Sequence, residues 1–241
     1  MMNFCSNKEI KANARDSFIG RMIVPVTVTV IYVCISNILT ICTSFPGAMT
    51  NLTVVIYSEI VSFVFNVVFG LIEFGIASFY LNYISGRPFA ISDMWSGFFV
   101  NPGRTLIISL ILTLLNRVLT LPATLYSYIY ITKPDYKLYI NFFVIFLVCS
   151  LVYYFINLFL APIYFLAADL PDASAMKLFK MSFWLMKGRK FKYFTLQLSF
   201  LPLIFLGLIS FGIGMLWVQP FINICYAFFY LDTTKVKSGS N

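Results

Sequence analysis

Met22–Cys42, MIVPVTVTVIYVCISNILTIC, holds no charged residue over 21 positions. That is the length of apolar chain a helix needs to cross the ~30 Å hydrocarbon core of a bilayer, about 20 residues. The rest of the chain reads the same way. Of its 241 residues 60% are hydrophobic and 11% charged, against about 25% charged in a soluble domain. So apolar a chain cannot hide its surface in one water-soluble core, and its length is better counted in membrane spans. Further apolar runs lie within Val54–Tyr83, over Thr105–Tyr130 and over Leu138–Ala168. A last run, Phe194–Leu231, is too long for one span, and Gly212-Ile213-Gly214 breaks it near the middle. Glycine supplies the backbone freedom of a tight turn, so this run predicts a hairpin and spans five and six.

Lysine and arginine set the expected orientation, because loops rich in them stay in the cytoplasm. The N-terminal segment carries Lys8, Lys11, Arg15 and Arg21, and the loop around Ser44–Thr53 carries none. Arg87 and Arg104, then Lys133 and Lys137 beside Asp135, then Lys177, Lys180, Lys187, Arg189, Lys190 and Lys192 follow in successive loops. Six spans put the rich segments on one side and both termini in the cytoplasm. The net charge of +8 therefore predicts contact with anionic lipid headgroups, not with nucleic acid.

Of the four Gly-Arg dipeptides, Gly86-Arg87 aside, three recur at nearly equal separation: Gly20-Arg21, Gly103-Arg104 and Gly188-Arg189. Each precedes an odd-numbered span. The pattern predicts three parallel-related helical hairpins, with tentative units 12–91, 92–173 and 174–234 before a short polar tail over 235–241, each led in by a cytoplasmic interfacial segment. The third lead-in is the clearest. Asp172 or Ser174 is suited to cap its start and Gly188 to end it. Met176, Phe179, Phe183 and Met186 recur at helical spacing, with Lys177, Lys180 and Lys187 off that stripe. Such a helix is expected to lie in the headgroup region with its apolar face down.

Charges inside spans are costly and mark candidate functional residues. Glu73 in span two and Arg117 in span three lie at similar depth when counted from the cytoplasmic ends, which predicts an ion pair. It serves either to fix packing or as a coupling carboxylate with an arginine gate. Glu59 is expected near the outer interface, in water. The amides of Asn66, Asn116, Asn157, Gln197, Gln219 and Asn223 are expected to bond across helices, and Pro25, Pro122, Pro162, Pro202 and Pro220 to kink them. Cys5, Cys34, Cys42, Cys149 and Cys225 form no Cys-x-x-Cys pair and the chain has no histidine, so no metal or other cofactor is expected and the cysteines are expected to pack inside helices. Asp169 and Asp172 are read as capping or loop residues. Asn51-Leu52-Thr53 is a glycosylation sequon, relevant only in a eukaryotic secretory pathway. The sequence carries no Gly-x-Ser-x-Gly, Walker-type loop or His-Glu-x-x-His.

Ser92-Asp93-Met94-Trp95-Ser96-Gly97-Phe98 followed by Pro102-Gly103-Arg104 resembles the "domain of unknown function 975" family. So do Leu166-Ala167-Ala168-Asp169, Ala173–Met176, Ser182–Gly188 and the closing Gly212–Phe221. The resemblance covers nearly the whole chain and implies a bacterial inner-membrane protein of about six helices. It assigns no activity and transfers no site residue.

The expected fold class is thus all-α, a polytopic transmembrane helix bundle. The expected role is non-enzymatic, as an accessory, scaffold or envelope-homeostasis component, with a protein partner or a second copy of the chain besides the lipid. A small transporter or channel using Glu73 and Arg117 is the alternative, and a lipid-handling protein the second alternative.

Overall fold

The computed structural model describes residues 5–43, 52–132 and 136–238. Asn51 of the sequon and the Lys133 and Asp135 of the loop count lie outside these residues. Every regular element among the described residues is helical. The chain runs through α1 (Asn7–Phe18), α2 (Ile23–Thr43), α3 (Leu52–Ser85), a 3-10 turn (Ile91–Trp95), α4 (Ser96–Phe99) and α5 (Pro102–Thr132). It continues through α6 (Tyr136–Leu160), α7 (Ile163–Asp169), α8 (Ala175–Met186), α9 (Lys190–Leu198), α10 (Leu201–Ile209) and α11 (Met215–Ser238).

Five of these stretches are long and apolar enough to cross a membrane: Ile23–Cys42, Thr53–Ser85, Pro102–Tyr126, Lys137–Asp169 and Lys190–Ile209. The expected sixth, α11, follows the turn read at Gly212, where Phe211 and Gly212 both take positive φ. It falls short of the other five in apolar character. The reason is its position. Ile222, Ile224, Cys225, Ala227, Phe229 and Tyr230 of α11 are buried against other helices, so it presents less surface to lipid and tolerates Gln219, Pro220 and Asn223.

The prolines act as helix physics requires. Pro162 separates α6 from α7, and Pro202 opens α10 just after the break that ends α9. Pro122 and Pro220 sit inside α5 and α11, where neighbouring groups in a bundle can satisfy the freed carbonyls. Of the cysteines, Cys225 is buried as expected, whereas Cys34 and Cys42 lie on exposed faces of α2. In an apolar solvent an outward thiol costs little.

The packed core sits at one end of the bundle. One cluster joins Ile10, Ala14 and Phe18 of α1 to Phe79, Tyr80 and Tyr83 of α3 and to α9 and α11. The other joins Phe74 and Leu81 of α3 to Ile108 of α5, Leu160, Leu166, Leu178 and Tyr230. Both draw on the last turns of α3. Toward the opposite end α3, α5 and α6 present Ile56, Ile60, Val118, Leu125, Phe143 and Leu147 outward, the face a bilayer would cover. At the packed end α1 is fixed by a capping box. Glu9 N–H donates to Ser6 Oγ at 3.2 Å, and Ser6 N–H donates back to the Glu9 carboxylate at 2.5 Å. Asp232 near the end of α11 accepts from the Cys5 amide (3.1 Å) and from Lys192 (2.8 Å). Burial, and next Asp232, push the Cys5 thiol above its usual range, so it is a poor nucleophile.

The segment between α3 and α5 turns back along α3 instead of lying beyond its end. A Cβ on Gly75 would overlap the backbone carbonyl of Met94, and a Cβ on Gly97 that of Leu71. Met94 is fully buried there. This backbone-to-backbone contact sets where α5 begins. Gly75→Ala should cost about 1–3 kcal/mol by overpacking, lowering the apparent melting temperature in detergent by several degrees. Gly103→Ala, which meets open space, should leave it within about 1 °C at roughly 2–4 °C per kcal/mol.

Candidate functional site

The predicted Glu73–Arg117 pair does not form. Arg117 Nη1 pairs with Glu59, and its Nη2 donates to Ser62 Oγ at 3.0 Å. Glu73 Oε1 accepts from the Tyr32 hydroxyl at 2.6 Å. The register of α3 against α5 explains the difference. Ser109 Oγ donates to the carbonyl of Val67 at 2.8 Å. Eight residues further along α5, Arg117 therefore stands opposite Glu59, as two antiparallel helices require. Glu59 precedes Glu73 by 14 residues in the same helix, about 21 Å at ~1.5 Å per residue. Counting depth from the ends of the helices fails here because α3 runs well past the start of α5. Glu59, expected near the outer interface, is the partner of Arg117.

The Glu59–Arg117 pair lies on a groove of about 410 Å³ between α3 and α5, walled by Val55, Ile56, Ile60, Phe63, Leu121 and Leu125. Its charges satisfy one another, so the pair reads as a structural lock on two helices.

Glu73 stands in a different environment. Among the described residues it has no cationic partner. Tyr32, its phenol donor, forms the inner wall of a vestibule of about 260 Å³ between α2 and α3, lined also by Ser36, Leu39, Thr40, Phe65, Asn66 and Phe69. The same tyrosine borders a second, water-sized cavity with Thr29, Tyr80, Gln219 and Asn223. Thr29 Oγ1 and Tyr80 Oη lie 3.3 Å apart there. Tyr32 thus separates two polar compartments. On the other side of α3, Gly70 allows Ser109 and the Tyr164 hydroxyl to approach closely, since a Cβ would overlap Ser109.

Sequence reasoning singled out Glu73, Asn66, Gln219 and Asn223 but missed Tyr32, Ser36 and Thr40. A signal was present. Thr29, Tyr32, Ser36 and Thr40 fall at helical spacing on one face of an otherwise apolar span. The amides divide. Asn116 donates to the Tyr153 hydroxyl (3.2 Å) and Gln197 accepts from that of Tyr154 (2.5 Å), both across helices. Asn66 and Asn157 bond carbonyls of their own helices.

The α8 stripe also needs correcting. Phe179 and Met186 are buried, but with Leu178, Ser182 and Leu185, while Met176 and Phe183 are 61% and 45% exposed. Docking decides the face. Ser182 Oγ donates to the Phe159 carbonyl at 2.6 Å, which turns Leu178 and Leu185 inward and leaves Met176, Phe183 and Trp184 outside. Lys177, Lys180 and Lys187 are exposed. Ser174 occupies the cap position without a capping side-chain bond.

The Gly-Arg markers prove chemically unequal. Gly20 and Gly188 take positive φ and end α1 and α8, whereas ahead of α5 Asn101 takes that conformation and Gly103 lies inside the helix. Arg104 donates to the carbonyls of Ala167, Leu170 and Pro171 at 2.7–2.8 Å, capping the C-terminus of α7 with its fork of donors. The carbonyl of Arg21 accepts from Tyr83 at 3.4 Å. Arg189 is buried and feels the charge of Asp232, while burial lowers its pKa from the ordinary value.

The chain belongs to the family described as protein of unknown function (DUF975), whose model matches residues 1–237. No curated protein and no solved structure matches it.

A double-mutant cycle on apparent stability separates the two carboxylates. Glu59→Gln with Arg117→Gln should show a coupling energy of about 0.5–1.5 kcal/mol, and Glu73→Gln with Arg117→Gln should be additive within about 0.3–0.5 kcal/mol.

Proposed function

We propose that this family member is a small, non-enzymatic membrane transport protein in which Glu73 holds a proton or a small cation in transit between α2 and α3. One observation carries the reading. Glu73 is a carboxylate within an apolar span, without a cationic partner among the described residues, bonded to the Tyr32 hydroxyl behind the wall of a polar vestibule. Such a charge has to be balanced by a proton or a bound cation. Tyr32 acts as the gate in this reading, supported by its bordering the compartments on both sides and by its hydroxyl bond to the carboxylate. The non-enzymatic part rests on the sequence, which carries none of the catalytic signatures sought.

The proposal includes a bacterial inner-membrane location with the packed end in the cytoplasm, on the lysine and arginine balance. It also includes descent from three tandem hairpins. The supporting observation is that each of the three evenly spaced Gly-Arg pairs lies against the end of its own unit: Arg21 at Tyr83, Arg104 at Ala167 and Leu170, Arg189 at Asp232.

A second reading, the accessory or scaffold role, is favoured by the exposed Met176, Phe183, Trp184 and Phe191 beside lysines at the packed end. That set of side chains suits anionic headgroups or a partner helix.

The transport reading is tested in proteoliposomes with an internal pH indicator and an imposed membrane potential. Wild type should dissipate the gradient. Glu73→Gln should slow it at least about tenfold, the effect of about 1.4 kcal/mol, and Glu59→Gln should leave it within about twofold. Equal rates for wild type and Glu73→Gln would overturn it.

A further inference from the structure

We propose that the vestibule between α2 and α3 is a binding site for a small organic ammonium ion. The proposal rests on the reading of Glu73 as the group that holds the transported species, and it names the chemistry of that species.

Three features of the wall select a cation. The first is the orientation of its polar groups. Ser36 Oγ donates to the Tyr32 carbonyl (2.8 Å), Thr40 Oγ1 to the Ser36 carbonyl (2.8 Å) and Asn66 Nδ2 to the Ser62 carbonyl (2.6 Å). A hydroxyl has one hydrogen to give. With that hydrogen directed into its own helix, the Ser36 hydroxyl has only oxygen lone pairs left to offer a ligand. The second is the anion behind the wall. The Tyr32 phenol donates to Glu73 at 2.6 Å, and a phenol bonded to a carboxylate has a more electron-rich ring. The third is the absence of competing positive charge. Among the described residues no lysine or arginine lines the vestibule, and Arg117 is bound to Glu59 and Ser62. An anionic ligand would meet no positive charge to balance it.

Aromatic rings then select an organic cation over an inorganic one. Tyr32 and Phe69 have ring centroids 5.3 Å apart and planes inclined at 38°, and Phe65 adds a third ring. Ring faces attract alkylammonium ions that have shed water. Small metal ions instead need a close cage of oxygens, and among the described residues no three His, Cys, Asp or Glu side chains cluster to hold one. The volume of about 260 Å³ admits an ammonium with a few carbon substituents and not a whole phospholipid. Tyr32 stands between the ammonium and the carboxylate, and a turn of its side chain would bring the two into contact.

The test is calorimetric titration of the purified full chain in lipid nanodiscs with tetramethylammonium chloride, using sodium chloride as the matched salt. Wild type should bind tetramethylammonium saturably and sodium not at all. Phe69→Leu should weaken binding about five- to thirtyfold, the span from a partly exposed to a desolvated cation–π contact, and Phe69→Trp should restore it. Glu73→Gln should weaken it at least as much, and Glu59→Gln should leave it unchanged. Folding of each variant is read from its melting curve; Phe69→Trp keeps the proposal testable if Glu73→Gln does not assemble. Absence of saturable binding, or binding indifferent to both Phe69→Leu and Glu73→Gln, overturns the proposal. If proton flux requires Glu73 while tetramethylammonium neither binds nor competes, the ligand chemistry falls and the transport reading stands. If tetramethylammonium binds with the expected Phe69 dependence while flux ignores Glu73, the site stands and the transport reading falls.

Discussion

Where Gly75 of α3 meets the backbone of Met94, and Gly97 meets the backbone of Leu71, two chain segments touch with no side chain between them. Close backbone approach through glycine is a strong packing device in apolar surroundings, where helices gain little from hiding grease from lipid that is equally greasy. Here it draws the 3-10 turn and α4 back along α3, so that α5 starts well short of the end of α3. Everything charged inside the bundle takes its position from that offset. Arg117 falls opposite Glu59, Ser109 opposite Val67 and Gly70, and Glu73 is left facing α2.

The same offset separates a closed electrostatic site from an open one. Glu59 and Arg117 neutralise each other in an apolar groove, and removing either would leave a charge facing hydrocarbon. Glu73 has a phenol for company and a vestibule beyond it. Arg104, which a reading of positive charge alone would place in headgroups, spends its donors on the carbonyls that end α7. Basic residues at the packed end thus divide between those that hold helices together and those, such as Lys177 and Lys180, that stay exposed.

Much of the fold is legible in the sequence because hydropathy over about 20 residues is a strong signal and lipid tolerates few alternatives. The runs at Met22–Cys42 and Thr105–Tyr130, the turn at Gly212 and the break at Pro162 need no tertiary information. Which charges meet is another matter. That depends on helix register, and register here hangs on Gly75 and Gly97, whose role no periodicity reveals. The buried face of α8 is hidden from the sequence for a related reason: Met176 and Leu178 are equally apolar, and the docking of Ser182 on α6 decides which turns inward. The polar stripe Thr29, Tyr32, Ser36 and Thr40 was readable, since its spacing is helical. Its meaning depended on Glu73 arriving from α3.

α3 and α5 are registered so as to give Arg117 to Glu59 and leave Glu73 beside Tyr32 at the vestibule. Cross-linking in membranes measures this directly. In a chain with all five native cysteines replaced by serine or alanine, cysteines are introduced as the pairs Glu59→Cys with Arg117→Cys and Glu73→Cys with Arg117→Cys. Each pair is treated with a short bifunctional thiosulfonate. Efficient intramolecular linkage is expected for the first pair and none for the second, whose positions are separated by about 21 Å along the bundle. Linkage of the Glu73→Cys pair with the efficiency of the Glu59→Cys pair would contradict it.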